Sequence, residues 1–168
     1  MWRPSVSSEP VKLLDIISDF QLFGMQRKSM MSYSDCIVFL LAKAYQKSQS
    51  LLKLRLKPYG LTSVQALILE ALMEEDGLTA GDIGRRLLLD NATVSGVLDR
   101  LAEGAWIIKE VDSNDKRILR IFLAPKTNSA AQELIKMRDL ANEEILRGFS
   151  TEERVLLKRL LRDFLPST

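Results

Sequence analysis

A chain of 168 residues that is 46% hydrophobic, 27% charged and 7% aromatic is long enough to bury its own core and too apolar to be disordered. Its 24 basic and 22 acidic residues leave a formal net charge of +2, too little for an overall field that commits it to a polyanion. One cysteine and no histidine exclude an internal disulfide framework and histidine general-base catalysis, and they argue against a zinc site.

The opening MWRPSVSSEP lacks the basic-then-apolar pattern of a secretory signal. Ser8 can cap a first helix with Pro10 in its opening turn. Leu13, Leu14, Ile17 and Phe20 fall on one face of it, and Gly24 is a stop. The polar stretch MQRKSMMSYS links it to a long second helix, from about Asp35 to Lys57. That helix carries the stripe Ile37, Leu41, Ala44, Tyr45, Leu51 and Leu52 and is ended by Pro58 and Gly60. Its apolar run CIVFLLA is far shorter than the roughly 20 residues a membrane span needs. The expectation is a cytoplasmic protein with no membrane partner. Between Cys36 and Leu69 stand Lys43, Lys47, Lys53, Arg55 and Lys57 and no acid, a pattern that suits a solvated helix face or an acidic partner.

Three helix starts follow from one kind of chemistry. A capping box needs Ser or Thr at the N-cap and an acceptor side chain three residues on. TSVQ at 62–65 and STEE at 150–153 fit, and TAGD at 79–82 fits more loosely. They predict helices at about 63–75, 80–88 and 151–165. Asp90 or Asn91 can cap another at about 92–103. WIIKEV and RILRIFL are rich in strand formers and bracket the polar knot DSNDKR, which predicts a hairpin. Ala131, Leu134, Ile135, Arg138, Ala141 and Ile145 then keep helical spacing to about Gly148. A last helix carries Leu157, Leu160, Leu161 and Phe164.

Leu87, Leu88 and Leu89 join two helices with almost no loop, which makes a helix-turn-helix, and the hairpin behind it makes the unit winged. In the helix 92–103, Val94, Val97, Leu98 and Leu101 call for burial. The opposite side shows Ala92, Ser95, Gly96, Asp99 and, near its edge, Arg100. Small residues allow close approach to a surface, and a helix N-terminus suits a phosphate. A DNA major groove admits such a helix. Asn91, Ala92, Thr93, Ser95, Gly96 and Arg100 are therefore the candidate DNA-binding residues on this helix.

The hairpin tip adds Lys116 and Arg117, which can reach a backbone or a minor groove. Asp115, two residues before Arg117, can hold that long side chain in one orientation, and Asp112 can brace the turn backbone. From Asp82 to Arg120, seven basic residues meet seven acids. Binding by this unit would rest on placement of charge and on two copies. A winged-helix module that binds protein instead of DNA fits the same neutrality. No spacing pairs carboxylates in a recognisable pocket and no glycine loop cradles phosphate, so neither an enzyme nor a cofactor is expected.

From YGLTSVQALILEAL through GLTAGDIGRRLLLDNATVSGVLDRL to VDSNDKRILRIFLA, the chain resembles the MarR family of bacterial winged-helix regulators. The resemblance covers about residues 36–165. It implies a mainly α protein with a two-stranded β-wing. It also implies a homodimer built from intertwined terminal helices, and a partner in double-stranded DNA. The recognition helix would be 92–103, and Arg117 would be held by Asp115 toward a minor groove. A repressor acting on an inverted-repeat operator is expected, relieved by a small anionic or aromatic effector. The corresponding division is an N-terminal extension at 1–33, a dimerisation region at 34–60 and 124–168, and a DNA-binding lobe at 61–123.

The sequence departs from the family pattern in places. After the wing, Leu-Thr-x-x-Gly is replaced by LAPKT, Leu123 to Thr127, so the usual helix cap and glycine are absent. The usual glycine before the first wing strand aligns with Ala105, and Gly104 sits one place early. Gly96 replaces a larger polar or basic residue. Some relatives sense hydroperoxides through a cysteine near the start of the first family helix. Cys36 lies in that region but two residues further from the apolar run, so a packed or exposed cysteine without redox function is the expectation, and Cys36 as a peroxide sensor is the alternative.

Overall fold

The computed structural model describes residues 33–165. The helix expected after Ser8, and all of the 1–33 extension except Tyr33, lie outside the described residues. The described residues fall into two units, the first ending at Lys43 and the second starting at Ala44. In the first, Tyr33–Asp35 form one 3-10 turn. The ring of Tyr33 meets Phe39 edge-on, with centroids 5.2 Å apart. Helix α1, Ile37–Leu56, starts in this unit and ends in the second. A 3-10 turn, Lys57–Tyr59, stops it at Gly60, whose φ of 67° explains the glycine there.

Three capping boxes form as the sequence predicts. Thr62 starts α2 (Ser63–Glu74) by accepting from the Gln65 N–H at 3.3 Å, while Gln65 Oε1 accepts from the Thr62 N–H at 2.8 Å. Thr79 starts α3 (Ala80–Leu87), with Asp82 closing the box despite its short side chain. Ser150 and Glu153 start the last helix. Asp90 caps α4 (Asn91–Glu103) through the Thr93 N–H at 2.8 Å. The hairpin is β2 (Ile107–Val111) and β3 (Leu119–Leu123), with Ile107 opposite Leu123 and Val111 opposite Leu119.

The two-stranded wing is joined by a third strand that the sequence does not announce. Leu78–Thr79 form β1 and pair antiparallel with Ile121 and Arg120 of β3, in the order β1-β3-β2. Two residues are too few to show the alternation by which a strand is recognised in sequence. The core of this unit is Leu56, Leu61, Ile68, Leu69, Leu72, Ile83, Val94, Leu98, Leu101, Trp106, Ile107, Ile121 and Leu134. It lies under α3 and α4 and behind the wing.

Helix α5 runs Pro125–Ile145, starting six residues before its predicted apolar spacing and stopping short of Gly148. Its N-cap, Ala124, makes no side-chain bond. The start is held from inside instead. Buried Thr127 donates its hydroxyl to the Trp106 carbonyl, which also accepts from the Ala124 N–H at 3.1 Å. Lys126 lies 4.1 Å over the Trp106 ring and donates to the Gly104 carbonyl at 3.0 Å. Helix α6, Thr151–Asp163, buries none of its residues and exposes Val155, Leu156, Leu160 and Leu161. No helix among the described residues is long and apolar enough to cross a membrane.

Candidate nucleic-acid interface

Helix α4 is divided into two faces as its spacing requires. Val94, Val97, Leu98 and Leu101 are buried, and Val94 is fully sealed at 0% exposure. Asn91, Ala92, Thr93, Ser95, Asp99 and Arg100 are exposed, and Gly96 is half-buried. A Cβ at Gly96 would meet nothing within 4 Å, so packing does not demand glycine there. The turn before α4 is tight for two reasons. Gly84 lets the Leu89 carbonyl approach to 3.1 Å of where a Cβ would stand, and Leu88 takes a left-handed φ of 54°.

The N-terminus of α4 is not an empty anion site. Asp90 accepts the Thr93 N–H and, at 2.6 Å, the Thr93 hydroxyl. The hydroxyl bond and then the N–H hold its carboxyl below the usual carboxylate range. This resident charge meets the helix dipole.

Five of the seven basic side chains of 82–120 are paired, four of them with acids of the same stretch and Arg86 with Glu75 outside it. Arg85 binds Asp82, Arg86 binds Glu75, Lys109 meets Asp99 at 2.6 Å, Arg117 binds Asp115 and Arg120 binds Asp112. Of the seven basic side chains, Arg100 and Lys116 alone have no acidic partner among the described residues. They stand near the end of α4 and at the hairpin tip.

The hairpin tip assigns its two aspartates different work. Asp115 grips Arg117 as a fork: Nε donates to Oδ1 at 3.1 Å and Nη2 to Oδ2 at 3.1 Å. The Arg117 N–H adds a third bond to Oδ1 at 3.0 Å. Arg117 still leaves 90% of its side chain exposed. These bonds, the side-chain fork first, hold the Asp115 carboxyl below its usual range against desolvation and the charge of Asp112, and the fork raises the Arg117 guanidinium above its ordinary value. Asp112 is the brace. Only 8% exposed, it takes Arg120 Nε on one oxygen and the Asn114 and Asp115 N–H groups, at 2.8 and 3.0 Å, on the other. The Arg120 bond, then the two N–H bonds, bring its carboxyl down to about 2. Arg120 was not among the sequence candidates. Its partner across the strands is Glu110 on one side and Thr79 on the other, so no local motif marks it.

Ala105 does occupy a glycine conformation. Its φ is 54°, whereas Gly104 sits at −78°. Gly104 is needed for a different reason, since a Cβ there would meet Trp106 Cδ1 at 2.9 Å. Cys36 is exposed, and its carbonyl accepts the Leu40 N–H at the start of α1.

A family model described as MarR family matches residues 59–118. The chain is 30% identical over 112 residues to the uncharacterized HTH-type transcriptional regulator YwoH of Bacillus subtilis, covering 66% of this chain and 80% of that protein. Among solved structures, it resembles Bordetella bronchiseptica BpsR, described for regulation of its DNA binding by 6-hydroxynicotinic acid. The TM-score is 0.76 with 25% identity, over 82% of this chain and 99% of that one. The fold also matches a cysteine-to-serine mutant of Escherichia coli MarR complexed with operator DNA. There the TM-score is 0.70 with 23% identity, over 76% of this chain and 91% of that one.

Proposed function

Because this chain belongs to the MarR family of winged-helix transcriptional regulators, we propose that it binds an inverted-repeat operator as a homodimer and represses until a small effector releases it. In this reading α4 enters the major groove, where Asn91, Ala92, Thr93, Ser95 and Gly96 approach the bases and Arg100 the backbone. Lys116 meets phosphate, and each Arg117 enters a minor groove. The observation that carries the reading is the forked Asp115–Arg117 pair at an exposed hairpin tip. A guanidinium fixed by two parallel bonds loses less freedom on binding than a loose one.

Dimerisation is supported by α6. A 13-residue helix with no buried residue is marginal alone in water. Its exposed Val155, Leu156, Leu160 and Leu161 call for a cover, and a second copy supplies an identical one. The effector reading is supported by a cleft of about 310 Å³ lined by Gln49, Ser50, Lys53, Leu61, Thr62, Ser63 and Val64. Lys53 gives its wall a cation that suits a small aromatic acid. Such a ligand need only favour a spacing of the two α4 helices that mismatches the half-sites.

Duplexes selected from a random pool test the whole reading. The protein is expected to enrich an inverted repeat, to bind it as two chains, and to weaken as salt rises. Addition of 6-hydroxynicotinic acid or a related aromatic acid is expected to release it. Sedimentation is expected to give twice 19.0 kDa at micromolar concentration. A stable monomer, or no salt-dependent affinity for any duplex, refutes the proposal and leaves a winged helix that binds protein.

A further inference from the structure

The wing-tip arginine is connected to the body of the domain by an unbroken chain of hydrogen bonds. It starts at the Gly77 carbonyl, in the turn between α2 and β1, which accepts from Arg120 Nη1 at 3.0 Å. Arg120 Nε donates to Asp112 Oδ2. The other Asp112 oxygen accepts the N–H groups of Asn114 and Asp115 at 2.8 and 3.0 Å. Asp115 then holds Arg117. The turn that begins this chain is itself pinned to β3: Asp76 Oδ1 accepts the Leu123 N–H at 2.9 Å, and Gly77 donates to the Ile121 carbonyl at 3.0 Å.

We propose that Arg120 is a positioning residue for DNA recognition: by bridging Gly77 and Asp112 it sets the orientation in which Asp115 presents Arg117. This rests on the reading of the wing as a DNA contact. Beyond the Thr79–Arg120 pair the wing is only two-stranded, and such a hairpin is by itself marginally stable and free to twist. Arg120 restrains it because a guanidinium is planar and can satisfy two acceptors at a fixed angle, whereas an ammonium cannot reproduce that geometry. The chain ends on a backbone N–H of the very residue that grips Arg117. Loss of Arg120 therefore loosens the tip without touching the tip's own ion pair.

The test is a mutant cycle on a duplex selected by the parent protein, read by fluorescence anisotropy. Arg120→Met keeps the aliphatic stem and is expected to weaken binding about fivefold in the parent background, but less than about twofold when Arg117 is already alanine. Arg120→Lys keeps the charge and is expected to resemble Arg120→Met. Full restoration by lysine, or the same fold-loss in both backgrounds, overturns the proposal, because either result means that Arg120 acts on DNA as a charge of its own. A parent that binds no duplex overturns both this and the reading beneath it. Side-chain Nε relaxation of Arg117 in the free protein supplies a readout without DNA. The Arg117 Nε signal is expected to become mobile in Arg120→Met and in Asp112→Asn while the backbone amides of β2 and β3 stay native. An Arg117 Nε that stays rigid in both folded variants overturns the proposal.

Discussion

Replacing Arg117 by alanine gives a test whose size follows from the structure. The side chain is 90% exposed and bonds only Asp115, so its loss should leave the fold intact. A dimer carries two wings. If each Arg117 neutralises one phosphate, the slope of log affinity against log salt becomes shallower by about 0.9 for each, or about 1.8 in total. Between 50 and 200 mM salt, the parent's advantage over the variant should then shrink about twelvefold. The minor groove distinguishes little beyond A·T from G·C, so the loss should be similar for many sequences. Asp115→Ala removes a negative charge, which by itself favours a polyanion. Any loss of affinity it causes therefore reports the orientation of Arg117. That loss should be smaller than for Arg117→Ala, and the double variant only slightly worse than Arg117→Ala. Anisotropy titrations on one duplex at four or five salt concentrations measure all of this. Parallel lines for parent and Arg117→Ala, or losses that simply add, would refute the assignment of this pair to the minor groove.

Further outcomes are expected elsewhere. Val94→Ala should lower stability by about 2–3 kcal/mol in denaturant titration because it empties a sealed site, while Ser95→Ala should keep stability and cost about 1 kcal/mol of operator binding. The reverse pattern would mean that the two faces of α4 are wrongly assigned. Ala105→Gly should raise stability by about 0.5 kcal/mol, since relief of the left-handed strain outweighs the added freedom of the unfolded chain; an unchanged or lower melting temperature would count against strain at φ 54°. The Asp112 carboxyl titrates near 2 in the folded chain, below its ordinary 3.8, so its contribution is complete above that value and fades as pH falls from about 4 to about 2. Asp112→Asn should flatten the acid limb of stability in that window, and an identical limb in both proteins would refute the brace. Cys36→Ser should bind operator as the parent does; hydroperoxide that releases the parent but not the variant would make the thiol a sensor.

Much of this protein could be read from local pattern. Capping boxes are formed within four residues, so TSVQ, TAGD and STEE place three helix starts without knowledge of the rest of the chain. The period of Val94, Leu98 and Leu101 tells the inner face of α4 from the outer, because burial of that stripe is what keeps the helix in place. The Asp115–Arg117 fork spans two residues of one turn and was equally legible. Strand β1 was not, since two residues acquire strand geometry only when β3 lies beside them. Nor was the start of α5, where the missing cap is replaced by Thr127 and Lys126 acting on Trp106 and Gly104 about 21 residues earlier. Ala105 holds a glycine's conformation at the end of α4, where the Trp106 N–H donates to the Leu101 carbonyl and the Ala105 N–H to the Ala102 carbonyl, against about 1–2 kcal/mol of local strain. Arg120 needed the most of the fold: its acceptors lie 8 and 43 residues away, at Asp112 and Gly77. Hydrogen bonds inside one turn depend on spacing alone and are written in the sequence. Those that close across strands exist only after the core has brought the strands together, and the orientation of the wing was decided there.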